Sequence, residues 1–380
     1  MKYAPCVIAG GSVKTCMQKV LNMLKVFEAF AGYGSQRMAL KRCNIPHEIV
    51  GISEIDGDVI LSYAAIHENL LELREKFTYP YDDEMRDYLK SINVPLNYKT
   101  FRNRADSLRG QKLKDMYLAN KISKNFGDIR SIVPQNLPDF DFFTYSFPCQ
   151  DISVAGYQNG LTPNSGTRSS LLWQCCKIIE IKKPKYLMME NVKNLVGSNH
   201  KKNFSKFLNY LEALGYTNFW SVLNARDYGI PQNRERVFCL SILAHKANFS
   251  FPHKVPLNIK MNDLLEKDVS KNFYLNNQVT NKPIEQEWIY CLDSNYWKGT
   301  VLADFQNKHR RQIVSCPKDE NGFYPARRLT PHETWRFMDV SDEDFYKASQ
   351  LVSNTSLYKQ AGNSIVVSVL KALFSNLFME

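Results

Sequence analysis

No two of the nine cysteines are spaced as CxxC, and only Cys175 and Cys176 are adjacent. A structural zinc needs paired ligands, and a disulfide framework needs a short, cysteine-dense secreted chain, so neither is expected in 380 residues. No metal site is expected, and the thiols are expected to be reduced, as in cytoplasm. Cys43, Cys175, Cys239 and Cys291 stand among apolar or aromatic residues and read as small core hydrophobes. No apolar run approaches ~18 residues, so no membrane span is expected. Met1 to Asn22 lacks the charged-then-apolar layout of a secretory signal. With Met23 directly before the first strand pattern, it reads as an extension of uncertain role or as the product of a start placed too early.

What is present is basic. Lys and Arg number 49 against 38 Asp and Glu, a net charge of +11, which suits a polyanionic partner such as nucleic acid. Many basic proteins simply have basic surfaces, so charge alone does not decide this.

Lys25 to Phe30 reads as a strand, Ser35 to Arg42 as a helix, and Glu48 to Ser53 as a second strand ending at Glu54. Alternation of strand, glycine turn, helix and strand is that of an α/β doubly wound, Rossmann-like sheet. Phe140 to Tyr145, Tyr186 to Met189, Phe219 to Leu223 and Arg236 to Ile242 supply further strands. Asn69 to Asn125 is highly charged and lacks periodicity, and reads as an insertion. The texture changes from about Leu243, becoming rich in Asn, Lys, Tyr and Trp, and apolar helical patterning returns over Thr355 to Leu377. The expected division is an extension over 1–22, a large discontinuous unit over 23–242 and 355–380, and a smaller unit with its hinge over 243–354.

Two stretches carry chemistry. Ser146-Phe147-Pro148-Cys149-Gln150 leaves an apolar strand, with a proline fixing the backbone before the thiol. After the next apolar strand the chain reads Glu190-Asn191-Val192. A thiol nucleophile and a carboxyl acid at the ends of neighbouring strands have few joint uses. Taken singly, Cys149 would be a buried free thiol and Glu190 a helix cap or surface acid. Near the start, Gly32 and Gly34 allow a tight turn, and Glu54 is placed to bind a ribose diol. The third position of the dinucleotide fingerprint is Arg37, so that pattern fails and the region divides between a cofactor site and a plain turn.

The motif order resembles that of the cytosine-C5 DNA methyltransferases of bacterial type. Phe30-Ala31-Gly32-Tyr33-Gly34, Pro148-Cys149-Gln150 and Glu190-Asn191-Val192 are followed by Gln232-Asn233-Arg234-Glu235-Arg236, Arg328-Leu329-Thr330-Pro331 and Gly362-Asn363-Ser364. Each string is weak alone, but six in order are specific. The resemblance implies a Rossmann-like methyltransferase sheet with a smaller target-recognition unit, a monomer acting on double-stranded DNA, and S-adenosylmethionine as cofactor. It is compatible with a cognate restriction endonuclease, and with bacterial or phage origin.

By the same resemblance Cys149 attacks carbon 6 of a flipped cytosine, Glu190 protonates or hydrogen-bonds N3, Arg236 contacts O2, and Arg234 orders the loop and thiolate. The cofactor pocket would comprise Phe30, Ala31, Gly32, Gly34, Glu54, Ile55, Asp128, Ile129, Pro148, Leu172, Asn363 and Ser364. Asp128 would meet the adenine edge, with Phe30 and Ile55 flanking the base. DNA would be met by Gln150, Ser153, Gln232 and Thr300, with Gln150 to Ser170 as a closing loop. From side-chain type rather than resemblance, the run Asn307 to Gln312 either reads a base through Arg310 or Arg311 or touches phosphates only. Thr300-Val301-Leu302-Ala303 and Met338-Asp339-Val340-Ser341 depart from the family pattern and leave base readout open. The Thr144-to-Asp151 string is reminiscent of CpG-specific bacterial enzymes. A tRNA cytosine methyltransferase and a non-catalytic DNA-binding relative are alternatives. Phe147, where the tRNA enzymes carry proline, argues against the first, and intact Cys149, Glu190 and Arg236 argue against the second.

Overall fold

The computed structural model describes residues 23–97, 100, 102–148 and 171–379. Met1 to Asn22, Cys149, Gln150, Ser153 and the expected closing loop lie outside the described residues.

Seven strands belong to the first two-thirds of the chain: β1 (Leu24–Ala29), β2 (His47–Ser53), β3 (Phe142–Tyr145), β4 (Tyr186–Val192), β5 (Tyr216–Asn224), β6 (Gln232–Asn233) and β7 (Glu235–Leu243). Six of them form one sheet in the order β2-β1-β3-β4-β7-β5. The pairs from β2 to β4 are parallel, whereas β7 runs antiparallel to both β4 and β5. The period-2 alternation of side chains sends each strand's residues to two cores, one on each face. Val26, Phe142, Met188 and Phe238 enter one, and Phe27, Phe143, Leu187 and Val237 the other. All are at most 1 % exposed, and each contributes about 1.5–3 kcal/mol of burial. Helices Ser35–Arg42, Gly57–His67 and Val367–Phe378 cover the first face, and Leu172–Lys182 and Lys201–Ala213 the second. The Rossmann-like expectation therefore holds.

The charged stretch expected as an insertion is part of this framework. Helix Gly110–Ile122 packs against Gly57–His67 and also against helix Asp82–Ser91. It buries Leu113, Met116, Leu118 and Ala119. A helix held from two sides has no single apolar stripe, which is why its periodicity is weak. Asn125 then bridges Ile52 in parallel at the sheet edge.

The apolar C-terminal stretch is two helices, Asn354–Asn363 and Val367–Phe378, broken at extended Ser364. Taken together the stretch 354–378 is long and apolar enough by composition to resemble a bilayer span, as the core helices of a globular fold often are. Here its Leu370, Leu373 and Phe374 are fully buried against the sheet.

The smaller unit holds β8 (Tyr274–Thr280), β9 (Ile289–Tyr290), β10 (Ile313–Ser315) and β11 (Tyr324–Arg328). The order β10-β11-β8 forms one sheet, while β9 pairs in parallel with β6. Residues 331–354, expected in this unit, instead send Trp335, Met338, Val340 and Phe345 into the first core. Phe249 and Phe251 pack against that core too. The junction is held by Glu333, which is fully buried, accepts both guanidinium arms of Arg327 at 2.7 and 2.8 Å, and closes a capping box with Thr330.

Candidate active site

The loop after β1 is built on backbone that favours glycine. Gly32 has φ +59° and Gly34 φ +85°. A side-chain carbon on Gly34 would stand 2.3 Å from His67 Nε2, so the turn can close only on glycine. Glu54, just past β2, pulls the loop in. Its Oε2 accepts from Gly32 N at 3.2 Å, and its Oε1 accepts from Ile55 N at 2.8 Å and Asp56 N at 2.9 Å. Burial pushes the Glu54 carboxyl up against the opposing pull of these amides.

One cavity runs along this loop and across the sheet's end. Of the expected cofactor residues, Phe30, Gly32, Glu54, Ile55, Asp128, Ile129, Pro148, Asn363 and Ser364 line it. Ala31 and Gly34 shape the turn without facing the cavity. Leu172, expected there, points into the second core at 2 % exposure, and its neighbour Leu171 lines the cavity instead. The first turn of helix Leu172–Lys182 decides which of the two faces in. Asp128 is already engaged: Arg130 Nη2 meets its Oδ2 at 2.5 Å, and Asn93 Nδ2 donates to the same oxygen at 3.1 Å.

The cavity's other end holds Glu190, Arg234 and Arg236. Glu190 lies inside β4 rather than past its end, with Val192 opposite Arg236 of β7. That register brings Arg236 Nε to 3.3 Å from Glu190 Oε1. Burial pushes the Glu190 carboxyl up, against Arg236, Arg234 and the Ser146 hydroxyl, which lower it. A carboxyl so placed holds its proton more tightly than an exposed one. Asn191 Nδ2 donates to Phe147 O at 2.9 Å, tying the backbone that leads to Pro148 onto β4. Arg234 is 3 % exposed and donates to three carbonyls: Leu292 at 2.8 Å, Gly362 at 3.0 Å and Ser364 at 2.6 Å.

A family model described as C-5 cytosine-specific DNA methylase matches residues 82–379. The chain belongs to that family. It is a DNA (cytosine-5-)-methyltransferase and methylates carbon 5 of cytosine in DNA. It is 74% identical over 94% of its length to the type II methyltransferase M2.ScrFI of Lactococcus lactis subsp. cremoris, covering 99% of that protein. It is 33% identical to the orphan methyltransferase M.SssI of Spiroplasma monobiae, with 95% and 100% of the two chains covered. Among solved structures, S. pombe Dnmt2 methyltransferase aligns with a TM-score of 0.62 at 18% identity, covering 94% of this chain and 98% of that one, and shares the fold.

Of the residues expected to meet DNA in this methyltransferase, four lie among the described residues. Gln232 is fully buried: its amide donates to Phe337 O at 2.7 Å and accepts from Leu292 N at 3.2 Å. It joins the two units and has no atom left to meet DNA. Thr300 is also buried, its hydroxyl donating to Tyr296 O at 2.7 Å. Arg311 donates to Gly299 O at 2.7 Å and pairs with Asp304 at 3.6 Å. Arg310 is half exposed, with Asp293 only at 3.9 Å.

Cys291, expected as a core hydrophobe, is exposed and lies between two guanidiniums. Asn191, Leu171, Gly362 and Cys291 were not expected as site residues, Cys291 having been read only as core. Only the first and third had a signal, as members of motif strings.

Proposed function

We propose that this methyltransferase takes its methyl group from S-adenosylmethionine and acts on a cytosine flipped out of double-stranded DNA, through a covalent bond between Cys149 and carbon 6. The observation that carries this reading is the single cavity with Glu54 and Phe30 at one end and the Glu190–Arg236 pair at the other. The cofactor end fits a nucleoside: apolar Phe30, Ile55 and Ile129 can sandwich a purine, the Glu54 carboxylate can receive ribose hydroxyls, and Asp128, on releasing Asn93 or Arg130, can receive an exocyclic amine. S-adenosylmethionine, held there, supplies an electrophilic methyl group.

Carbon 5 of cytosine is too weak a nucleophile unaided. Addition of the Cys149 thiolate to carbon 6 makes it enamine-like, provided N3 is protonated or strongly hydrogen-bonded, which is the work of Glu190. Arg236, paired with Glu190 at 3.3 Å, would meet O2. Loss of the C5 proton and departure of Cys149 release 5-methylcytosine. Extrusion of the base is required because its reactive atoms are stacked within a duplex. We place Arg310 on the DNA, together with Gln150 and Ser153, and expect a monomer. The type II names of relatives support a restriction–modification role with a cognate endonuclease.

The test is a covalent trap. Duplex DNA carrying 5-fluorocytosine at the target should give a denaturation-resistant adduct with the parent protein when S-adenosylmethionine is present, and none with Cys149→Ser. Labelled-methyl transfer to duplex DNA should exceed transfer to tRNA. An absent adduct in the parent would end the covalent reading.

A further inference from the structure

The surroundings of Cys291 are charged. Its Sγ lies 3.5 Å from Arg234 Nη1 and 3.9 Å from both Nη1 and Nη2 of Arg236. Arg236 meanwhile turns Nε to Glu190. The Arg236 guanidinium thus meets two groups that can be anions, besides the Glu235 carbonyl, to which its Nη1 donates at 2.8 Å.

The placement is built by backbone pairing. In β6 and β9, Gln232 pairs with Ile289 and Asn233 with Tyr290, so the next residues in each chain direction are Arg234 and Cys291. Leu292 N donates to Gln232 Oε1, and Arg234 donates to Leu292 O, which locks the register on the far side of the thiol. Although the residue is exposed, its sulfur is close enough to protein atoms for burial to oppose ionisation. Arg236 and Arg234 outweigh that and hold the thiol below its usual range.

We propose that Cys291 is a positioning residue for methyl transfer, its sulfur holding Arg236 and offsetting positive charge that bears on Glu190. This rests on the reading that Glu190 acts through a protonated or hydrogen-bonding carboxyl at N3. Among the described residues, the charged and titratable groups facing Glu190 are Arg236 from β7 and Arg234 from the β6–β7 turn, with the Ser146 hydroxyl from the end of β3. Both guanidiniums favour the carboxylate, which is the wrong form for donating a proton. A second anion on the same arginines offsets that pull, so the small unit adjusts the acidity of a carboxyl in the large one.

Two measurements test this on the full-length protein. The first follows alkylation of Cys291 by iodoacetamide against pH, read by mass mapping of its peptide. The midpoint should lie below the ordinary thiol value of about 8.5, and Arg236→Ala should raise it. The second is the pH profile of kcat/KM for Cys291→Ala, Cys291→Ser and Cys291→Asp. The alkaline limb, set by loss of the Glu190 proton, should move to lower pH in the Ala and Ser variants, lowering the rate above it severalfold. Asp, which restores the anion, should move it back. An ordinary alkylation midpoint indifferent to Arg236→Ala overturns the proposal. So does an alkaline limb in Cys291→Ala at the parent's position. If Cys291→Asp fails to fold, by its melting curve, the alkylation midpoints and the Ala and Ser profiles decide the matter. Full activity in Glu190→Ala would instead sink the catalytic reading of Glu190, leaving the alkylation result to judge the ion pair on its own.

Discussion

Arg234 Nη2 donates to the carbonyl of Ser364 at 2.6 Å, across 130 residues of chain. The same guanidinium holds Gly362 and, from the smaller unit, Leu292. One buried side chain therefore fixes the β6–β7 turn, the C-terminal motif and the strand end that carries Cys291. The cavity residues Asn363 and Ser364 are placed by a group whose own expected task lay at the nucleophile.

Arg234→Lys should lower stability by about 1.5–3 kcal/mol, because a lysine keeps the charge but cannot span all three carbonyls. Urea unfolding would show the loss. The requirement for S-adenosylmethionine should rise with it, since the loop at Ser364 is released.

Gly362→Ala should be more disruptive than its size suggests. The added carbon would stand 2.2 Å from Asp293 C and 2.3 Å from Ser294 N, and backbone cannot step aside as a side chain can. A cost on the order of 1–3 kcal/mol or more is expected. A lowered melting temperature and slowed methyl transfer, in the same variant, would check it.

Stability should fall as pH rises towards neutrality because of Glu28. This β1 carboxyl is fully buried, accepts from Tyr63 Oη at 2.8 Å, and leaves its Oε1 without a partner. Burial raises it from 4.5 to about 7, against the opposing effects of Tyr63 and Arg37. The folded state thus holds a proton that the unfolded chain has already lost. The resulting stabilisation is fully present below pH 4.5 and disappears as pH passes about 7. It amounts to at most about 3 kcal/mol. Denaturant midpoints across that window should fall in the parent and flatten in Glu28→Gln.

Arg310 and Arg311 should separate. Arg310→Ala should weaken DNA binding and reduce its salt dependence if it meets phosphate, or relax one position of the site at about 1–3 kcal/mol if it reads a base. Arg311→Ala should chiefly lower the melting temperature, because that side chain holds Gly299 and Asp304. Sequencing of methylated sites and melting curves of both variants would distinguish them.

The local patterns of the chain were sufficient for the strands and for the order of the motifs. Helix Ser35–Arg42 is found at its expected bounds, and the sheet strands fall within a few residues of theirs, because alternation and turn glycines are recorded in consecutive residues. Glu190 and Glu54 could be singled out because each sits at the end of such a pattern, whereas Arg236 and Phe30 took their expected roles from the resemblance of their motif strings. Which way a side chain turns was not legible. Leu171 and Leu172 are adjacent and equally apolar, and only helix packing sends one to the cavity and the other to the core. Gln232 looks like a DNA-reading residue until β6 meets β9, when both ends of its amide are taken. Cys291 looks like a core thiol until the same pairing sets it beside Arg234 and Arg236. Helix Gly110–Ile122 looks like a charged insertion because it is clasped on two sides. The sequence by itself determined the fold class and the order of the motifs, since both are written over a few neighbouring residues. Only the tertiary structure decided the partners of Arg234, Gln232 and Cys291, because those contacts span some 60 to 130 residues and depend on strand pairing that no local pattern records.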